Sequence, residues 1–236
     1  MSLEIGWSMN DELIKLKEQE KKLGVNNLDR VVLHGKGLLS LVPTIGSYLA
    51  ELLAFHIPNQ RIDRLEDFTK TLAVVVDDLP ETIQIELENK FKEKDSFLFI
   101  AQILRQVVED DSKERLKYLA SALKNGLTTD TDSINRKRFL EIISQLNEIE
   151  ILRLYGASLD DRKAYEAFYK KYGDVLFYEP KWDATEDEIE RHEIIKNYSR
   201  NLVQKNLMSQ TNVSGEPTAL GYAILKFIDA QKNIQF

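Results

Sequence analysis

The sequence predicts an all-α, or nearly all-α, protein: an N-terminal helical bundle, then a C-terminal winged-helix-like half with one short β-hairpin. Three observations carry that expectation. Apolar residues recur at helical spacing through most of the chain. Only 10 Gly and 5 Pro punctuate 236 residues, too few for a turn-dense all-β fold. Hydrophobic residues at 43% and charged residues at 30% allow a buried core but not a multi-span membrane protein.

Taken in order, residues 10–22 read as a polar, charge-laced helix closed by Gly24. Leu28–Gly37 is a short apolar segment ending in Gly35-Lys36-Gly37. Pro43 suits the first turn of a helix, where its missing N–H costs nothing, and that helix runs to about Phe55 and stops before Pro58. Within it Gly46, Ala50 and Ala54 form a small-residue ridge that admits a close neighbour. From Asn59 to Asp77 the stripe Ile62, Leu65, Phe68, Leu72, Val75 and Val76 predicts an amphipathic helix. Pro80 opens the next, carrying Ile83, Leu87 and Phe91. Phe97, Ile100, Ala101, Leu104, Val107 and Val108 mark a third. Asp111 or Ser112 caps a fourth, with Leu116, Leu119, Ala120 and Leu123, and Asn125-Gly126 supplies a left-handed stop. Residues 60–126 therefore read as four helices with short connections.

The polar run Thr128–Ser133 is the expected domain boundary, dividing the chain into residues 1–130 and 131–236. Helices follow at Arg136–Leu146, Ile149–Tyr155 and Arg162–Tyr172, with a break or fresh cap at Asn147-Glu148. Thr185 with Glu188 is a capping-box pattern opening a long helix to about Lys205. Ser209–Glu216 reads as a hairpin, and a last helix carries Leu220, Ala223, Ile224, Phe227 and Ile228.

The order "LVQKNLMS", polar gap, "EPTALGYAILKFI" resembles the end of bacterial winged-helix modules, where a helix runs into two wing strands and a last helix. Asn206 stands where such modules often have Gly, and Ala219 where they often have Pro. The layout, with the segments Arg138–Tyr155 and Asn201–Ile228, is similar to the abortive-infection alpha family of bacterial phage-defence-associated proteins. That resemblance implies a setting of antiviral defence or mobile elements rather than a mechanism.

The chemistry is constrained mostly by exclusion. With no cysteine, disulfides, thiolate zinc sites and cysteine nucleophiles are excluded. His34, His56 and His192 are far apart and fit no HExxH or HxH spacing, so His192 reads as a half-buried structural residue. No G-x-S-x-G, P-loop or G-x-G-x-x-G occurs. Asp77-Asp78 and Asp110-Asp111 read as helix-end residues rather than metal ligands. The expectation is a non-enzymatic interaction protein with no catalytic residue, metal or cofactor, and with a protein partner or self-association.

Two alternatives stand beside it. In a DNA-binding regulator the long helix would present Arg191, Lys196, Arg200 and Lys205, against a net charge of −7. In a membrane-acting effector residues 37–58 would insert. Their uncharged stretch of 14 residues, broken by Pro43, falls short of the roughly 20 that a span needs. The Gly46, Ala50 and Ala54 ridge reads first as core packing, then as a subunit contact. The N-terminal residues lack a basic region followed by an apolar one, so no signal peptide is expected and the protein is placed in the cytoplasm.

Overall fold

The computed structural model describes residues 62–129, 132–211 and 215–236. The ridge at Gly46, Ala50 and Ala54, His34, His56 and the helices expected before residue 62 lie outside the described residues. Among the described residues the regular elements are all helices, with no strand. They belong to two compact units that meet in sequence at Asp111–Ser112.

In the first unit α1 (Ile62–Asp77), α2 (Glu81–Lys92) and α3 (Lys94–Glu109) form the described core. The α1 stripe falls where expected: Leu65, Phe68, Leu72 and Val76 are buried. Pro80 is the N-cap of α2, and Leu87 and Phe91 are the buried residues of that helix. On α3 the buried line is rotated from the expected one, to Phe99, Ile100, Ile103, Leu104 and Val107. Both α1 and α2 pack on α3, and the buried Arg64 donates from Nε to the Asp110 carbonyl at 2.9 Å.

The fourth expected helix, α4 (Lys113–Thr128), belongs to the second unit, so the compact units divide earlier than the Thr128–Ser133 run. Ser112 caps it, accepting from the Arg115 N–H. The expected stop at Asn125-Gly126 is overridden, and the helix runs on to Thr128. The reason is tertiary. Asn125 Nδ2 donates to the Phe227 carbonyl and to Asp229 Oδ1, both at 3.0 Å, while the buried Gly126 accepts from Arg136 at 3.1 Å.

Four helices follow with side-chain caps at each start. α5 (Ser133–Ser144) is capped by Asp132, and α6 (Glu148–Ala157) by an Asn147–Glu150 capping box. Asp161 caps α7 (Arg162–Leu176), which absorbs Val175 and Leu176. α8 (Glu186–Gln204) opens with the expected Thr185–Glu188 box. α7 and α8 pack on α6, while α9 (Ala219–Phe227) packs on α4, α5, α6 and the short α10 (Ala230–Asn233). Gly156 permits the approach of α7 to α6, since a Cβ there would overlap the Phe168 ring.

The expected hairpin is not found. Among the described residues Ser209–Glu216 is closed by a single antiparallel bridge, Met208 with Pro217, so the winged-helix reading is not supported. Ser209 N–H donates to Glu216 and Thr218 N–H to Leu207, both at 2.9 Å, placing Pro217 at the non-hydrogen-bonded position between them. A proline is tolerated there because no ladder donor is needed. Asn206 adopts the left-handed conformation, φ 57°, which suits it to the position where glycine is usual.

Candidate functional site

Buried ionisable groups are the usual first sign of chemistry. In the second unit Arg115, Glu150, Arg153 and His192 tie helices to other helices or to loops. Arg115 forks across carbonyls at the C-terminus of α5 and just beyond it, donating from Nη1 to Leu146 at 2.8 Å and from both terminal nitrogens to Ile143 at 3.0 Å. Glu150 accepts from the Asn147 backbone through Oε2 and from Asn201 Nδ2 through Oε1, both at 3.0 Å, joining α6 to α8. Arg153 donates to Ser199 Oγ at 3.3 Å and lies 4.4 Å from the centre of the Phe177 ring. Burial holds its pKa below the ordinary arginine value. Burial first, and Glu148 second, push the Tyr118 phenol far above its usual range.

His192 lies on the buried face of α8 with Nδ1 2.8 Å from the Tyr178 carbonyl, which places it as a helix-to-loop tie. Asp77 ends α1 and Asp110 is the C-cap of α3. Among the described residues no group of three His, Asp or Glu is placed to hold a metal ion.

The four basic residues of the nucleic-acid alternative all have partners within the chain. Arg191 donates to the Asp174 carbonyl at 2.8 Å and covers the Tyr178 ring. Lys196 and Arg200 both pair with Glu193, at 3.2 and 3.4 Å, and Lys205 donates to Gln145 Oε1 at 3.2 Å. The exposed start of α8 presents Glu186, Asp187 and Glu190 instead, which would repel a phosphate backbone.

Two surface features of the second unit stand out. The first is a groove of about 1040 Å³ lined by Lys124, Tyr155, Asp161, Tyr222, Lys226 and Phe236, among others. Lys124 pairs with Asp229, and Asp161 is already engaged as a helix cap. Phe236 stands edge-on to Phe168 at 5.4 Å, and the Gln235 carbonyl accepts from Lys171 Nζ at 2.7 Å and Tyr172 OH at 3.2 Å. Rim charges of both signs leave the groove without a preference for an anion or a cation.

The second is the turn between α7 and α8. Trp182 is 98% exposed there, and Tyr169, Val175, Ile189 and Ile194 are exposed on the flanking helices. Residues 174–193 hold eight carboxylates against Lys181 and Arg191, a local charge of −6 that accounts for most of the chain's −7. Sequence reasoning missed this turn because halving the chain at residue 130 averages it away; a twenty-residue charge window would have found it.

No family model, curated protein or solved structure matches this chain.

Proposed function

We propose that this chain is a non-enzymatic bacterial interaction protein working in the cytoplasm, in phage defence by abortive infection or on a mobile element. The observation that carries the interaction reading is Trp182, 98% exposed in the turn between α7 and α8. Most single apolar side chains on a surface need no explanation, but tryptophan is the residue most enriched among the anchors of binding faces, and this one is wholly solvated. The absence of catalysis is supported by the placement of Arg115, Glu150, Arg153 and His192, whose polar atoms face other helices and loops of the same unit. The setting rests on the resemblance in layout to the abortive-infection alpha family.

The test is phage challenge of a bacterial host expressing the full chain. Plating efficiency should fall, and Trp182→Ala should restore it while leaving the far-UV circular dichroism spectrum unchanged. Equal plating with and without the chain would remove the defence setting. Protection that survives Trp182→Ala would remove the interaction face.

A DNA-binding regulator has less support, because Arg191, Lys196, Arg200 and Lys205 all have partners within the chain. For the membrane-acting reading, residues 37–58 lie outside the described residues, and no described helix is long and apolar enough to cross a membrane.

A further inference from the structure

Charge within the second unit is segregated. Residues 174–193 are strongly acidic, so the rest of residues 131–236 is basic, with 13 Lys and Arg against 9 Asp and Glu. Asp183, Glu186, Asp187 and Glu190 have no ion-pair partner among the described residues. Carboxylates alone would be a solvated helix N-terminus, stabilised by the helix dipole. Trp182 among them has no such explanation.

A face of opposite character lies on α5. Ile134 is 76% exposed there, and Lys137 and Arg138, three and four residues on, are exposed on the same side of the helix. Lys137 and Arg138 also have no ion-pair partner among the described residues. Exposed Glu141 lies on the same side of α5 and leaves that face a net charge of +1, so both surfaces pair one large exposed apolar side chain with charge, and the net charges are opposite. They also lie on different elements. The acidic turn precedes α8, a 19-residue helix about 28 Å long, whose far end reaches Gln145 just beyond α5 through Lys205.

The geometry points to a second copy of this chain as the partner: the Trp182 turn of one copy docks on the Ile134–Lys137–Arg138 face of the next. This rests on the interaction reading above and names its partner. Trp182 covers Ile134, a Lys137 or Arg138 side chain lies against the indole face, and the four free carboxylates take up the remaining positive charge. The contact joins two different surfaces, so a pair of copies keeps one of each unused, and association continues into a ring or an open chain.

Sedimentation velocity on the full chain tests this directly. Wild type should form species larger than a dimer as concentration rises, and raising salt from about 0.05 M to about 0.5 M should weaken them markedly as the charges are screened. Trp182→Ala with Glu186→Gln and Asp187→Asn removes one surface, and Lys137→Glu with Arg138→Glu removes the other. All five positions are exposed, and circular dichroism checks that both variants fold. Each variant alone should be monomeric, and an equimolar mixture should form a dimer and stop there, because each supplies the surface the other lacks.

A monomeric wild type, assembly unchanged in either variant, or a mixture that stays monomeric would overturn self-docking. If wild type is monomeric yet Trp182→Ala still abolishes phage protection, the self-docking inference falls and the interaction reading stands, with a basic face on another molecule as the partner.

Discussion

In residues 62–109 the helices meet through Leu65, Phe68, Leu72, Leu87, Phe91, Phe99 and Ile100, and α2 and α3 start at Pro80 and Glu93 with no side-chain cap. In residues 112–236 side chains cap α4 through α9, and Arg115, Glu150, Arg153 and His192 bridge buried positions. The first arrangement is held by volume and apolar area, which tolerate exchange of one hydrophobe for another. The second depends on particular donors meeting particular acceptors, and a buried group that loses its partner keeps the desolvation cost. The difference teaches where each unit resists change: the first in size, the second in identity.

The sharpest way to break the comparison is a pair of truncations. Phe91→Ala, at a site 1% exposed, should cost about 3–5 kcal/mol, while Phe91→Leu should cost far less. Arg115→Met roughly keeps volume yet strips the Ile143 and Leu146 carbonyls of their donor, at about 1–3 kcal/mol for each group left unsatisfied. Denaturant unfolding gives the loss, and hydrogen exchange should place it in residues 62–109 for Phe91 and in residues 112–236 for Arg115. If Arg115→Met proves neutral, the second unit is held by volume after all.

A smaller effect probes the α6–α7 approach. Gly156→Ala must push a methyl into the Phe168 ring and should cost about 1–3 kcal/mol by overpacking. Shrinking the ring in the double variant with Phe168→Leu should recover part of that loss, which a purely conformational role for the glycine would not permit. The melting temperatures of the single and double variants decide it.

The smallest expected effect is electrostatic. The Thr185 backbone N–H, then the Tyr178 hydroxyl, hold the Glu188 carboxyl below its ordinary pKa. Because the folded value is the lower one, this capping box adds stability above the usual glutamate pKa and loses it as the pH falls through the depressed value. Tyr178→Phe should raise the Glu188 pKa in a carboxyl NMR titration. An unchanged titration would show that the hydroxyl contributes nothing.

Legibility in the sequence follows the same division. Periodicity reads packed faces, so the stripe of α1 is legible, while on α3 Ile100, Leu104 and Val107 are legible and the buried line takes in Phe99 and Ile103 rather than Phe97 and Ala101. Cap chemistry is local, so the Thr185 start is legible outright, while the sequence leaves Asp111 or Ser112, and a break or a cap at Asn147-Glu148, for the structure to resolve as Ser112 and Asn147. Asn125-Gly126 misled because its stop signal is also local, whereas the Asn125 amide answers to residues 227–229, a hundred positions away. The Ser209–Glu216 segment had a hairpin's composition and length but makes only one bridge. Of the sites, His192 is expected half-buried and is buried, and Trp182 escapes a sequence reading because no motif contains it.

The ties between α4 and residues 228–233 have a consequence for the order of folding. Lys124 holds Asp229 across 105 positions, and Asn233 reaches Ser121 across 112. α1 and α2 can close their contacts with α3 soon after it emerges from the ribosome, since it follows them directly in sequence. α4 must wait for its partners, and at about 5–20 residues per second that wait lasts roughly five to twenty seconds. Through that interval Leu116, Leu119 and Leu123 lack the helix that finally covers them. The newborn chain thus carries α1 to α3 packed together ahead of an unsealed second unit, and chaperones should engage it at α4.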